Sequence, residues 1–129
     1  MEIVIVRGDH KPWGIDGHLY INRQRVCDTV EHPTKHLPSG IYTIASLSTE
    51  DCLWPSESSK SPLSDEIALI KVPFRHGDGA LGLKNREIIV GKYLLQGVVT
   101  QSQPTYDRLY ERLKKAFQRN TPVRLTIRG

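Results

Sequence analysis

The sequence predicts a single-domain α+β protein in which a mainly antiparallel sheet or half-barrel carries one packed helix in its C-terminal half. Short β-branched and aliphatic runs, separated by Gly, Pro, Asn and Ser, occupy most of the chain before residue 101, a pattern typical of strands. Only residues 102–120 place apolar side chains at the helical period. The 129 residues contain no repeat and no domain-scale linker, which suits one domain, residues 1–129.

The N-terminal third of the chain is predicted to form strands joined by tight turns. The strand-like runs are EIVIVR (2–7), GHLYI (17–21), RVCDTV (25–30) and IYTIAS (41–46). Asn22 tolerates the left-handed backbone of a tight turn, so the two runs on either side of residues 22–24 are predicted to form a hairpin. Two prolines and a glycine interrupt residues 31–40, which are predicted to be a loop.

A long polar loop is predicted in the middle of the chain. Residues 48–65 contain six serines and two prolines and few large apolar side chains. A strong strand, EIALIKV (66–72), follows and ends at a proline. EIIVG (87–91) and KYLLQGVVT (92–100) are further strand candidates, with a bend expected at Gly91.

The helix and the last strand close the predicted fold. The apolar residues that define the expected buried face are Tyr106, Leu109, Tyr110, Leu113 and Phe117. Ser102 is predicted to cap the start of the helix, and Asn120 to end it in a left-handed conformation. PVRLTIR (122–128) alternates apolar and polar residues, as a half-buried strand does.

Charge and hydropathy exclude some functional classes. The net charge of +4 permits an acidic partner but serves solubility equally well. No apolar run approaches the roughly 18 residues of a membrane span, so no membrane partner is expected. The N-terminus, MEIVIVRGDH, lacks the pattern of a secretory signal. The protein is therefore expected to be cytoplasmic as synthesised, unless a phage or a secretion system exports it.

No cofactor or metal is expected. Cys27 and Cys52 are too far apart in sequence for a metal knuckle or a redox pair, and both are expected to be reduced. His32 and His36 are four residues apart, but the nearby prolines argue against the helix that would align them as metal ligands.

The segment RHGDGALGLKNREIIVGKY (75–93) contains a G-x-G-x-x-G motif at Gly77, Gly79 and Gly82. A dinucleotide site needs a helix directly after the glycines and an acidic residue about 20 positions on. Here a strand-like run follows, and residues 94–106 contain no acidic side chain. The motif is therefore interpreted as something other than a nucleotide site.

His76 sits in this glycine-rich loop with four charged neighbours, Asp78, Lys84, Arg86 and Glu87. A histidine near neutral pKa can transfer a proton, and glycines let a ligand approach the backbone. One histidine is not a catalytic constellation, however. A surface loop with a solvated histidine explains the same residues.

Motifs spread from about Gly17 to Ile127 resemble a small bacterial and phage family of unknown function, domain-of-unknown-function family 5675. The best local matches are LYIN with CDTVE, LPSGIY, IIVG and YDRLY, and their order and spacing carry the resemblance. The histidine loop and Gly-Cys motif of that family in turn resemble those of the L,D-transpeptidases. Those enzymes use a Cys–His pair to cut and rejoin peptidoglycan peptides through a thioacyl intermediate.

The resemblance implies a degenerate transpeptidase-like loop in this chain. His76 matches the family histidine, whereas Glu87 occupies the position of the family cysteine and Arg86 that of the preceding glycine. A carboxylate cannot form a thioacyl enzyme, so the chain is expected to have lost that chemistry. A His76–Glu87 pair acting on water, with the two strands beside it paired antiparallel, is the alternative, and it would make the protein a peptidoglycan-directed hydrolase.

Several residues are candidates for binding. Gly77, Asp78, Gly79 and Arg86 belong to the loop, and Trp54 could anchor a partner or a glycan, or fold back on the core. The exposed face of the helix carries Arg108, Arg112, Lys115 and Arg119, which makes weak nucleic-acid binding a second alternative. No aromatic residue is interleaved with these cations on an outward surface for base stacking, so nucleic acid is the less favoured partner.

The sequence as a whole predicts a non-catalytic binding or assembly protein in a phage, mobile-element or cell-envelope context. The expected partner is an unidentified protein or a cell-wall glycopeptide.

Overall fold

A computed structural model describes residues 1–45, 68–83 and 86–129. The strands are β1 (Glu2–Lys11), β2 (Gly14–Ile21), β3 (Gln24–Glu31), β4 (Gly40–Ile44), β5 (Ala68–Ile70), β6 (Phe74–Arg75), β7 (Ile88–Leu95), β8 (Val98–Thr100) and β9 (Arg124–Arg128), with one α-helix, α1 (Ser102–Gln118), and a 3-10 turn (Ala80–Gly82). The fold is α+β, as predicted. The predicted polar loop, residues 48–65, lies outside the described residues.

The described strands form one sheet in the order β5-β4-β9-β1-β2-β3-β7-β6, and β8 pairs with the second half of β7. Five of the strand pairs are antiparallel. Three are parallel: β1 with β9, β4 with β5, and β6 with β7. The sheet is therefore mainly antiparallel, as expected, with parallel pairs near its ends and at the junction with β9.

The sheet is open but strongly curled. β5 and β6 end the strand order, yet only residues 71–73 separate them in the chain. Seven interstrand spacings would span roughly 34 Å in a flat sheet, whereas four extended residue steps reach at most about 14 Å. The two edges must therefore approach each other, which gives the sheet the form of a half-barrel.

The hairpin between β2 and β3 confirms the turn prediction. Asn22 and Arg23 both have positive φ angles, 48° and 71°, as a two-residue type I′ turn requires. Ile21 pairs directly with Gln24, so Gln24 belongs to β3 and the turn is one residue shorter than expected.

The end of α1 is as predicted, but its start is not. Asn120 has φ 54°, and the N–H groups of Asn120 and Thr121 donate to the carbonyls of Phe117 and Ala116, the pattern of a Schellman motif. At the start, Gln101 takes the cap position without a side-chain cap bond. Ser102 is the first helical residue, and its hydroxyl donates to Val90 O at 2.6 Å instead.

The buried face of α1 is rotated from the predicted one. The buried residues of the helix are Ser102, Thr105, Leu109, Leu113 and Ala116. Tyr106 and Phe117 are only partly buried at the margin of the core. The face that α1 turns to the core therefore combines two leucines with small side chains.

Two apolar clusters lie on opposite faces of β7. Ile88 and Val90 belong to the main core with α1, whereas Ile89 belongs to a smaller cluster with Val30, Ala80, Leu83 and Val99. Successive side chains of a strand point to opposite faces, so a strand covered on both faces reads as a continuous apolar run. The glycine-rich loop covers the face opposite the helix.

β7 runs through Gly91 as one strand. The break between the two predicted strands, 87–91 and 92–100, therefore lies not at Gly91 but at the turn formed by residues 96–97. Gly91 is where β7 changes its partner: it pairs with Asp28 of β3, and Lys92 pairs with Thr100 of β8. A Cβ at this position would lie 2.9 Å from the Thr100 carbonyl oxygen.

A buried ion pair joins β1 to β3 across β2. The Arg7 guanidinium donates through Nε and Nη2 to the Glu31 carboxylate at 2.9 and 2.7 Å, and both side chains are almost fully buried. Nη2 also donates to Leu37 O, which ties the loop before β4 to the sheet. Removing one partner of such a pair leaves an uncompensated buried charge.

Within the described part of the chain, no helix is long and apolar enough to cross a membrane.

Candidate binding cleft

Hydrogen bonds of its backbone groups hold the glycine-rich loop after β6 against the neighbouring elements. Gly77 N–H donates to Ser102 Oγ at 3.0 Å, Ala80 N–H donates to Gly97 O at 3.0 Å, and Asp78 O accepts from Val99 N–H at 3.0 Å. A 3-10 turn and then β7 follow the glycines. The N–H groups of Gly77 and Ala80 are thus engaged within the protein, and no α-helix begins in the described residues between the glycines and β7. The described part of the loop therefore lacks the features of a phosphate-binding turn.

This loop forms one wall of an open cleft of about 850 Å³. The opposite walls are the β1–β2 turn and the β7–β8 turn. The lining residues are Trp13, Arg75, Gly77, Asp78, Gly79, Ala80, Leu81, Gly82, Leu83, Ile89, Leu95, Gln96, Gly97 and Val98. The volume falls within the range of ligand-binding pockets in proteins.

The rim of the cleft is apolar and exposed. Trp13 is 48% exposed, Leu95 55% and Leu81 63%. Ile89 and Leu83 lie beneath them as part of the smaller cluster. Large apolar side chains gathered around a concavity and left open to solvent mark interaction sites.

Two glycines fix the shape of the cleft. Gly97 has φ +80°, and a Cβ there would collide with the Trp13 carbonyl oxygen. A Cβ on Gly14 would lie 2.9 Å from Ala80 Cβ. These close approaches hold the three walls together, so the cleft is built into the fold.

Two charged residues line the cleft, Arg75 and Asp78, and they differ in their partners. Arg75 Nη1 lies 3.7 Å from Glu87 Oε1, and Arg75 Nε donates to His76 O at 3.2 Å. The Asp78 side chain has no hydrogen-bond or ion-pair partner in residues 1–45, 68–83 and 86–129. A cationic group in the cleft would find the Asp78 carboxylate available, whereas Arg75 is already engaged.

The predicted antiparallel pairing beside His76 and Glu87 is wrong. β6 runs parallel to β7, with Phe74 level with Ile88 and Arg75 level with Ile89. Glu87 therefore lies next to Pro73 and pairs with Arg75, while the strand direction carries His76 away from it. No hydrogen bond or ion pair joins His76 to Glu87 in the described residues.

His76 contacts the helix instead of the cleft. Its ring meets the Tyr106 ring edge-on at 5.6 Å between centroids, and the Tyr110 ring lies 5.9 Å beyond. Neither His76 nor Glu87 lines the cleft. This ring contact places the exposed His76 on the flank of α1.

Only some of the other predicted binding residues line the cleft. Gly77, Asp78 and Gly79 line the cleft, whereas Arg86, with φ 53°, does not. Trp54 lies outside the described residues.

Sequence reasoning did not assign the cleft residues Trp13, Leu81 and Leu95 to a site. An exposed tryptophan beside a proline in a turn, KPWG (11–14), was the one signal available.

Asp28 organises a polar cluster next to the start of α1. Its Oδ1 accepts from Arg25 Nη2 at 2.7 Å and contacts His18 Nδ1 at 2.9 Å, and its Oδ2 accepts from Tyr93 N–H at 2.8 Å. Burial alone would raise the pKa of Asp28, but the bonds from Tyr93, Arg25 and His18 together hold that pKa below its ordinary value. Asp28 is thus ionised, and both of its carboxylate oxygens already have hydrogen-bond partners.

Cys27 is a packing residue and not a nucleophile. It is a buried free thiol in the main core. Burial, reinforced by the charge of Asp28, raises the pKa of the Cys27 thiol to about 12. A thiol with that pKa is almost entirely protonated at neutral pH and is a poor nucleophile and metal ligand. Cys52 lies outside the described residues.

The histidines of the loop before β4 serve local structure. His32 Nδ1 accepts from the N–H groups of Thr34 and Lys35 at 3.1 and 2.9 Å, and His36 Nδ1 contacts His32 O at 3.0 Å. Within the portion of the chain that is described, no group of three or more His, Cys, Asp or Glu side chains could hold a metal ion.

Comparisons of the chain with protein-family models, with curated proteins and with solved structures found no match. The resemblance to the phage-associated family, together with the transpeptidase-like loop it implies, stays a prediction from the sequence motifs.

Proposed function

We propose that this chain is a non-catalytic binding or assembly protein whose cleft takes a short segment of a partner protein. The observation that carries the proposal is the open cleft of about 850 Å³ rimmed by exposed Trp13, Leu81 and Leu95. A large apolar side chain of a partner would cover these residues and remove them from water, at roughly 25 cal/mol for each Å² of apolar surface buried.

Charge complementarity defines the partner segment further. Asp78 lines the cleft, and its carboxylate has no hydrogen-bond or ion-pair partner in the described residues, whereas Arg75 forms an ion pair with Glu87. The segment that fits best carries a Lys or Arg next to its large apolar residue, so that the cation meets Asp78. Trp13 at the rim can also accept a cation on its ring face.

The separation of His76 from Glu87 supports a binding role over a hydrolytic one. A histidine base oriented by a carboxylate needs that carboxylate within hydrogen-bond reach, and here Glu87 lies 3.7 Å from Arg75 while the His76 ring contacts Tyr106. The hydrolase alternative therefore has no geometric observation in its favour. The phage, mobile-element or cell-envelope context rests on the sequence resemblance alone.

A displayed library of short random peptides tests the proposal. Selection on the wild-type protein should enrich peptides with a large apolar residue beside a Lys or Arg. Leu81→Lys removes an apolar contact from the rim and places a cation near the basic residue of the peptide, so it should weaken binding of the enriched peptides by about tenfold or more.

Leu94→Lys is the matched control. Leu94 is an exposed leucine of β7, 58% accessible, that does not line the cleft, so its replacement should leave affinity within about twofold. No enrichment of any sequence, or an equal loss in the Leu81 and Leu94 variants, would refute a binding role for the cleft.

A further inference from the structure

A second concave site lies beside the first turns of α1, and it shares no lining residue with the cleft. Its volume is about 330 Å³, at the lower end of the range for small-molecule sites. It is lined by Arg25, Val26, Cys27, Asp28, Gly91, Lys92, Gln101, Thr105 and Arg108.

Three elements each direct one cation to this site. Arg25 comes from β3, Lys92 from β7 and Arg108 from α1. Asp28 is the one acidic lining residue in the described chain, and both of its oxygens are occupied by Arg25, His18 and the Tyr93 N–H. Lys92 and Arg108 make no hydrogen bond or ion pair in the residues that the structure describes.

The acids nearest to Arg108 in sequence do not neutralise it. Asp107 accepts a hydrogen bond from the Gln103 amide at 2.9 Å, and Glu111 forms no ion pair with Arg108 in the described chain. Converging like charges repel each other, and an anion placed between them would remove that repulsion.

The cations at the other end of α1 have a simpler explanation. Lys115 and Arg119 lie at the C-terminal end of the helix, where the helix dipole favours positive charge. Arg108 lies in the N-terminal half of the helix, and Lys92 and Arg25 come from strands. The helix dipole does not account for their convergence.

We infer that this site binds the phosphoryl group of a small phosphate monoester. Arg108 supplies planar guanidinium donors that match phosphate oxygens, and Lys92 supplies a mobile ammonium. Arg25 is held in place by Asp28 through Nη2, and its remaining N–H groups can donate to the same anion. The open side of the site leaves room for the remainder of the ligand. This inference does not depend on the peptide-binding function of the cleft.

Titrations with inorganic phosphate and with glycerol phosphate, followed by amide chemical shifts at constant ionic strength, test the inference. We expect saturable shifts at residues 25–28, 91–93 and 101–108. Tighter binding of glycerol phosphate would identify the monoester as the source of the phosphoryl group, and equal binding would identify the free anion. Lys92→Gln and Arg108→Gln should each weaken binding by about tenfold or more.

Arg112→Gln is the matched control, because Arg112 is a cation of the same helix that lines a different concavity. It should leave phosphate affinity within about twofold. Shifts that do not saturate, that spread over Arg112, Lys115 and Arg119, or that weaken equally in the Arg112 variant would show a general basic surface, as nucleic-acid binding would need. That result, or no shift at millimolar ligand, would overturn the inference.

Discussion

Single residues direct the backbone wherever their chemistry leaves few choices. Asn22 and Asn120 both adopt left-handed backbone, as their positions in the sequence predict, because a short polar side chain tolerates that conformation. Ser102 shows the limit of such reasoning. A serine before a helical pattern predicts an N-cap, but its hydroxyl bonds Val90 O and accepts from Gly77 N–H, and no local pattern reveals those distant partners.

His32 should make stability depend on pH. Its Nδ1 accepts two backbone N–H groups, so the neutral ring is the form that the loop needs. Burial, with the positive charges of Lys35 and His36, lowers the pKa of His32 below its ordinary value of 6.5. Between the folded-state pKa and pH 6.5, the folded state therefore binds fewer protons than the unfolded state. Stability should be full above pH 6.5 and fall as the pH drops through the folded-state pKa.

An NMR titration of the His32 ring should give a midpoint below 6.5. In His32→Asn, an amide oxygen can accept the same N–H groups without titrating. The free energy of unfolding of this variant, measured by urea melts, should therefore fall less than that of the wild type between about pH 7 and 5, roughly the range in which histidine titrates. A midpoint at or above the ordinary value, or identical pH profiles of the two proteins, would contradict this assignment.

At the scale of elements, periodicity finds the helix but not its orientation. The predicted face was taken from the apolar residues at helical spacing and included Tyr106, Tyr110 and Phe117, but the core side of α1 includes Thr105 and Ala116. A helix that packs closely on a sheet buries small residues at the contact, and the aromatic rings cover its flanks. Hydrophobicity alone ranks the large residues first, so it misplaces the face by a fraction of a turn.

Leu113 belongs to both the predicted and the observed face, and it is 1% exposed in the main core. Leu113→Ala should lower the free energy of unfolding by about 2–5 kcal/mol, because it removes buried methyl groups and leaves a cavity. Leu94→Ala, at an exposed position of β7, should change it by less than about 0.5 kcal/mol. Urea melts that place both variants within half a kcal/mol of the wild type would show that the helix does not pack as described.

The strand pairing beside the glycine loop was mispredicted for a physical reason. A glycine-rich connection suggests a hairpin and hence antiparallel neighbours. Residues 76–87 separate β6 from β7, and a connection of about a dozen residues is long enough to cross the sheet and return in parallel. This crossing places the loop over one face of β7, and it builds the cleft while separating His76 from Glu87.

At the scale of the molecule, the fold class was predictable and the cleft was not. Strand runs, one helical period and turn residues are local signals, and they define an α+β fold with a curled sheet and a packed helix. The cleft joins the turn at Trp13, the loop at residues 75–83 and the turn at residues 95–98. These segments are far apart in sequence, so no local pattern groups them.

The central claim is that the cleft binds a partner segment through an apolar contact and the Asp78 carboxylate. A charge-swap cycle tests it most directly, with a selected peptide and its Lys→Glu version titrated against the wild type and Asp78→Lys. We predict that each single change weakens binding by about two- to fivefold, as expected for an exposed ion pair, and that the double change restores most of the affinity. Additive losses, or an Asp78→Lys protein that binds the basic peptide as tightly as the wild type, would contradict the claim.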